Sequence, residues 1–448
     1  MSELPKGWIR TTLGQVVSYA DNETVSPTDL PADVWLLELE DIERDSGKVL
    51  DRKTVGERAP KSSKNRFYAG DVLYGKLRPY LNKVVRADRD GFCSSEVIAI
   101  SPGLLDKNYL FYSMRSPGFI EYVSNVSHGM RMPRLGTQQA KSAPFVLPPL
   151  AEQTRIAQKV DELLAQVDTL KARIDAMPAL LKCFRQSVLA AAVTGRLTEE
   201  WREKLCLDVW SSTSWAEILK NNKDAFKRGP FGSSLTKSMF IAHGYKVYEQ
   251  YCPINDDCTF ARYYISPQKF EEMEAFAVEP GDFLISCSGV SLGRITQVPP
   301  GSEPGIINQA LLRVRLNPSL YSDAFFKIIF RSPSFQKDLL DNSTGSAIPN
   351  LKGVKELKAM QVPLPTLEEQ IEIVRRVEQL FSFADQLEAR VVSAKTRIDR
   401  LTQSILAKAF RGELVPQDPN DEPAVVLLER IKDQRATVPK AKRGRKNV

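Results

Sequence analysis

The chain has 448 residues, 42% of them hydrophobic and 26% charged, and a net charge of +7 at neutral pH. That length favours two domains over one core, and so mild a positive excess permits a polyanionic partner without requiring one. Six scattered cysteines without a CxxC pair fit reduced thiols in a cytoplasmic protein. No apolar run reads as a bilayer span, and the opening MSELPKGWIRTTLG has no secretory h-region.

Residues 1–150 are rich in short β-branched and aromatic runs broken by Gly, Pro, Asn and Asp, which predicts strands and turns. Residues 151–197, entered through LPPLAEQ, read as a long amphipathic helix ending near Gly195. Its apolar residues alternate four and three apart: Ile156, Val160, Leu163, Val167, Leu170, Ile174, Met177, Leu181, Phe184 and Val188. This is the seam of a coiled coil, about 50 Å long at roughly 1.5 Å per residue. Pro178 predicts a kink or break in it. Residues 198–214 read as a linker, and 215–366 as a second globular half.

Residues 367–414 then repeat the helix. Glu152 to Leu197 recurs without a gap as Glu369 to Leu414, with a second seam of Ile373, Val377, Leu380, Ala384, Leu387, Val391, Ala394, Ile398, Leu401 and Ile405 and an end near Gly412. A narrow seam cannot stand alone in water, and the simplest partner for each helix is the other copy. The C-terminal segment, 415–448, finishes in PKAKRGRKNV, either a solvated tail or a loose phosphate binder.

The globular halves share a faint frame. YAGDVLYG (68–75) answers VEPGDFLIS (278–286), MRSPGF (114–119) answers FRSPSF (330–335), and HGMRMPRL (128–135) answers TGSAIPNL (344–351). Trp8 and Trp215 stand at similar starting points. After the shared Gly-Asp strand the halves diverge. Lys76 and Arg78 fall opposite Cys287 and Gly289, while Lys83 and Arg294 keep a positive charge in place. Two readers of different DNA sequences should share phosphate-facing cations and differ where they face bases; an exposed loop that has drifted would look similar. The candidate DNA-binding residues are Lys76, Arg78, Tyr80, Lys83, Arg131 and Arg134 in the first half. In the second they are Ser286, Ser288, Arg294, Ser346, Asn350 and Lys352. Arg131, Arg134 and Asn350 suit base edges, and the other cations suit phosphates.

Signs of catalysis are few. With two histidines, His128 and His243, a His-based triad or HExxH zinc site is nearly excluded. No phosphate loop, dinucleotide fingerprint or N/D-P-P-Y/F methyltransferase motif occurs; NPSLY (317–321) is not one. The chain reads as a targeting subunit without catalytic residue, metal site or cofactor.

The repeated helices LPPLAEQTRIAQKVDELLAQVD and LPTLEEQIEIVRRVEQLF resemble the specificity (S) subunits of type I restriction-modification systems. Their tails, FRQSVLAAAVTGRLTEEWR and LTQSILAKAFRGELVP, resemble the enterobacterial-type subgroup, and LPKGW and GDVLYGKLRPY are also similar to this family. The resemblance implies an α+β fold in which two pseudo-repeated target-recognition domains are separated by two long helices forming an antiparallel coiled coil. It also implies double-stranded DNA as ligand, with a bipartite asymmetric target. Two methyltransferase (M) subunits would carry S-adenosylmethionine and methylate adenine N6, and restriction (R) subunits would use ATP and Mg. The location would be cytoplasmic, away from membranes. The competing reading is a two-domain coiled-coil adaptor that binds proteins; a self-sufficient DNA-modifying enzyme would need a catalytic motif that the sequence lacks.

Overall fold

The computed structural model describes residues 4–127, 132–220, 224–231, 234–289, 291–339 and 351–437. Two helices of 44 residues each, Leu150–Val193 and Leu367–Phe410, dominate it. Ala, Leu, Glu, Gln and Arg, all good helix formers, fill both. Each is followed within two residues by a glycine in the left-handed region, Gly195 (φ 74°) and Gly412 (φ 75°), where a side chain would be strained. The chain folds as two compact units, residues 1–175 with 392–448, and residues 176–391. Each long helix thus gives part of its length to each unit, the larger part to the unit in which it begins.

In the first unit the helices run antiparallel. Lys171 pairs with Asp399 (3.4 Å), while Asp175, one turn later, pairs with Lys395 (2.6 Å), one turn earlier. A two-stranded ribbon joins Ile9–Thr12 to Pro144–Leu147. An antiparallel sheet orders Ser18–Tyr19, Val97–Ser101, Val72–Gly75 and Val84–Arg86. A second sheet orders Thr24–Val25, Lys64–Phe67, Gly91–Cys93, Trp35–Leu37 and Lys53–Thr54, with Trp35–Leu37 parallel to Gly91–Cys93. The core gathers Tyr109, Phe145 and Leu147, Ile156 and Val160 from the first long helix, and Leu406 and Ala409 from the second. Leu427 and Ile431 of a C-terminal helix, Ala424–Thr437, complete it. The C-terminal segment is therefore partly core; its basic end, PKAKRGRKNV, lies outside the described residues.

The second unit repeats this plan. Arg185 pairs with Asp385 (2.5 Å) and Glu388 (3.1 Å) across the antiparallel helices. The ribbon joins Ser211–Ser214 to Gln361–Leu364, so the stretch read as a linker already carries a strand. One sheet orders Phe226–Arg228, Leu311–Val314, Phe283–Ser286 and Ile295–Gln297. The other orders Tyr264–Ile265, Tyr245–Tyr248, Gly305–Ile307 and Ala277–Val278, again with one parallel pair, Tyr245–Tyr248 and Gly305–Ile307. Trp215 centres the core, its ring 5.1 Å from Phe226 and 5.4 Å from Phe335. The ribbons also correct one reading. Trp8 immediately precedes the first ribbon strand and Trp210 the second, whereas the backbone N–H of Trp215 bonds Met360 as that of Leu13 bonds Ala143. Trp8 thus answers Trp210, and Trp215 answers Leu13.

A Glu-Gln pair near the start of each long helix fixes it to its own unit. Buried Glu152 accepts the Trp8 indole N–H (2.8 Å) and the Gln417 amide (3.2 Å). Gln153 accepts the Asp106 N–H (3.1 Å) and donates to the Pro148 carbonyl (3.0 Å). In the second unit Glu369 accepts from Thr198 (2.7 Å) and Arg202 (3.1 Å). Gln370 accepts the Ser322 N–H (2.7 Å) and donates to the Pro365 carbonyl (3.0 Å).

Three readings of the helices need revision. Pro178 does not break the first helix. A proline removes one backbone donor, and here it occupies an exposed position flanked by the half-buried Met177 and the buried Leu181. Most seam residues are buried or half-buried, but Leu170 and Leu401 are 43% and 40% exposed. They lie beside the Lys171–Asp399 ion pair, where the helices meet through charge. Finally, one 18-residue window of the first helix reaches a mean hydropathy of 1.2, enough to cross a membrane by length and composition alone. That helix carries Val188 and Ala192 of the second unit's core and the ion-paired Arg185.

Leu427→Ala is expected to destabilise the first unit by about 2–5 kcal/mol, read from denaturant midpoints; an unchanged midpoint would remove the C-terminal helix from the core. Burial raises the Glu152 carboxyl above its ordinary 4.5. A carboxyl raised by folding contributes stability below its unfolded value, and that contribution is lost as pH rises through the folded value. Glu152→Gln keeps an acceptor for Trp8 and should flatten the fall in stability above pH 4.5. A slope identical to that of the parent chain would contradict the assignment.

Candidate nucleic-acid interface

In both units the candidate interface begins at the Gly-Asp pair. Gly70 (φ 97°) and Gly281 (φ 94°) take a left-handed conformation. The Asp71 carboxylate accepts the Tyr68 N–H (2.9 Å) and that of Asp282 the Glu279 N–H (2.8 Å). Burial raises the Asp71 carboxyl, whereas Asp282 meets the Arg315 guanidinium at 2.6 Å. The strands that follow, Val72–Gly75 and Phe283–Ser286, are buried throughout.

Each strand ends in a turn of the same backbone shape. The Gly75 N–H donates to the Lys83 carbonyl and the Ser286 N–H to the Arg294 carbonyl, both at 2.9 Å. Inside the first turn Arg78 (φ 50°) and Asn82 (φ 48°) are left-handed; inside the second, Gly289 (φ 78°) and Gly293 (φ 72°) are. Arg78 thus stands where the other unit uses glycine, and Lys83 stands opposite Arg294. A left-handed residue with a side chain costs roughly 1–2 kcal/mol, so retaining an arginine there points to use of its side chain.

The glycine-loop stretches come to the same place. Leu135 donates its N–H to the Lys76 carbonyl (2.9 Å) and Arg78 donates to the Pro133 carbonyl (2.8 Å). In the second unit the Leu351 N–H reaches the Cys287 carbonyl (3.4 Å). Segments far apart in sequence therefore form one surface in each unit.

Candidate residues are placed unequally on these surfaces. Arg78 and Tyr80 are exposed and Lys76 is half-buried; none of them forms an ion pair among the described residues. Arg134 is exposed but spans Glu96 with two bonds (3.1 and 3.2 Å), so reading a base would require it to leave that carboxylate. Lys83 turns inward, its ammonium on the Leu39 carbonyl (2.9 Å), which does not suit a phosphate contact. Ser286 is fully buried and its hydroxyl bonds the Ser291 carbonyl, closing the turn from within; it has no face to offer DNA. Ser288 accepts the Gln250 amide on its carbonyl (2.8 Å) and hydroxyl (3.3 Å). Arg294 is exposed and Lys352 half-buried. Arg131, Ser346 and Asn350 lie outside the described residues.

The turns differ in charge as a result. Where the first carries Lys76 and Arg78, the second carries the buried Cys287, whose thiol is pushed up to about 12 and stays neutral, and a glycine. Supporting residues went unread in the sequence. Glu96 holds Arg134, and Gln250 holds Ser288 from a distant strand end, with no local spacing to signal either.

The profile of the type I restriction modification DNA specificity domain matches residues 6–178 and 235–393. The chain is 36% identical to the type I restriction enzyme EcoBI specificity subunit of Escherichia coli, over 86% of each chain. It is 33% identical to the StySPI specificity subunit of Salmonella potsdam and to the EcoKI specificity subunit of Escherichia coli strain K12, each over 77% of this chain and 75% of the relative. Among solved structures, the HsdS subunit from Thermoanaerobacter tengcongensis superposes with a TM-score of 0.62 at 24% identity, covering 92% of this chain and 98% of that one. A chain from a structure on assembly and conformational transition of the type I R-M system gives 0.61 at 23% identity, covering 92% and 100%. The structural likenesses bear on the fold; the profile and the sequence relatives bear on kinship, and by them the chain belongs to the specificity subunits of type I restriction-modification systems.

Proposed function

We propose that each unit reads one part of a bipartite, asymmetric DNA target and that the antiparallel helices set the spacing between the parts. Two M subunits, holding S-adenosylmethionine, dock on this chain and methylate adenine N6 on each strand. R subunits, using ATP and Mg, add restriction, and this chain supplies no catalytic group or cofactor. A cytoplasmic location follows from duplex DNA as ligand.

The observation that carries this reading is the repeated turn, one backbone dressed with different side chains. Phosphate contacts can be shared between readers of different sequences, whereas base contacts cannot. Arg78, taken from the sequence as a phosphate cation, is exposed on a strained backbone and can instead reach guanine with two donors; Lys76 and Tyr80 flank it. Arg294 and Lys352 suit phosphates in the second reader. A 44-residue helix is about 66 Å long, more than the roughly 34 Å of one DNA turn, so the length needed for a spacer is available.

Arg78→Gly places a residue favoured by the backbone where arginine is strained. It should leave stability unchanged or slightly higher while relaxing discrimination in one half-site by about 1–3 kcal/mol, measured by competition among duplexes altered in one half at a time. Equal loss on specific and random duplex would contradict a base-reading role. Arg294→Ala should weaken binding to all duplexes alike and lower the salt dependence by about one unit of slope. Binding insensitive to salt would instead favour a protein-binding adaptor.

A further inference from the structure

A pocket of about 180 Å³ opens in the second unit beside the turn, lined by Phe240, Tyr263, Glu249, Asn308, Gln309 and Lys237 among others. Phe240 and Tyr263 stack at 4.4 Å and form an aromatic wall. The Glu249 carboxylate has no hydrogen bond or ion pair among the described residues; burial raises its carboxyl, opposed by the field of Arg262. Asn308 spends its Oδ1 on the Ala310 N–H (3.1 Å), and no bond from its amide nitrogen is formed among the described residues.

The pocket is joined to the turn. Cys287 donates its N–H to the Ala310 carbonyl (2.8 Å), Asn308 donates to the Tyr248 carbonyl (3.0 Å), and Gln250 bonds Ser288 (2.8 Å). The first unit has the same backbone frame: the Lys76 N–H donates to the Glu96 carbonyl (2.9 Å) and the Ser94 N–H to the Leu37 carbonyl (3.0 Å). There, however, the carboxylate at the matching position, Glu38, is taken up by Lys64 (3.0 Å), and Ser94 and Ser95 replace Asn308 and Gln309. Among the described residues the second unit leaves this carboxylate without an ion pair, in a pocket that Phe240 and Tyr263 also line.

We propose that this pocket receives one nucleobase turned out of the duplex at the second half-site, a base carrying an exocyclic amino group. The proposal rests on the DNA-reading function above. A carboxylate accepts hydrogen bonds from the exocyclic amino groups of adenine, cytosine or guanine; thymine lacks that group and offers only its ring N3–H. An aromatic wall stacks an unpaired base, and edge groups read it. The volume is below the roughly 300–1,000 Å³ of drug-sized sites, which suits a single planar ring system and not a whole nucleotide.

The test uses the chain in complex with its methyltransferase partner, on duplexes in which an abasic site replaces one base at a time in the second half-site. Removing the partner of the extruded base abolishes the cost of unpairing it, so binding at one position should tighten on the order of tenfold. Glu249→Ala, which removes the acceptor, should lose that gain while keeping discrimination in the first half-site. If no position tightens, or the gain survives Glu249→Ala, while the intact target is still bound specifically, the pocket proposal is wrong and the reader remains. Loss of all preference between target and random duplex in the parent complex would overturn the DNA-reading function itself.

Discussion

Two buried Glu-Gln pairs hold this molecule's plan together. Where chain leaves globular domain for helix, Glu152 and Gln153 in one unit and Glu369 and Gln370 in the other spend their polar atoms on the domain that precedes the helix and on the segment that follows its partner. Hydrogen bonds to a charged group contribute about 1.5–3 kcal/mol each and are costly to leave unmade. In the first unit Glu152 ties Trp8, ahead of the ribbon, to Gln417, beyond the second helix. Helix direction is thereby referred to the domain, as the proposed spacing role would require.

The same economy explains why the turns can diverge. Their shape rests on backbone bonds, the Gly-Asp cap, the strand-end closure and the reach of Leu135 or Leu351, none of which requires a particular side chain at the tip. Arg78 and Gly289 occupy one backbone position with opposite steric preferences. A frame held by main chain leaves the tip open to different target sequences, and the second unit departs further through Glu249 and its neighbours.

Much of this could be read in advance, for identifiable reasons. The long helices declared themselves through a repeated seam and terminal glycines. The turn register followed from Gly70-Asp71, Gly281-Asp282 and the paired Lys83 and Arg294. What could not be read is instructive. The strand Ser211–Ser214 is four hydroxyl residues without apolar alternation, so it passed for a linker. The Ala424–Thr437 helix sits beyond the repeat and buries only a few residues. Ser286 ends a strand buried on both faces, where period-two alternation that would mark an inward side chain is absent. Lys83 looks like a surface cation until Leu39, far away in sequence, supplies its acceptor. Seam positions Leu170 and Leu401 obey the heptad yet face solvent, because spacing cannot foresee an ion pair at that level.

Whether two readers of unlike sequence act on one DNA molecule at a set separation is decided by co-expressing the chain with its methyltransferase partner and mapping N6-methyladenine across the host genome. The expected result is a split motif, two short defined parts around a gap of constant length, with one methylated adenine on each strand. A continuous motif, or an intact complex that leaves no motif, would contradict it.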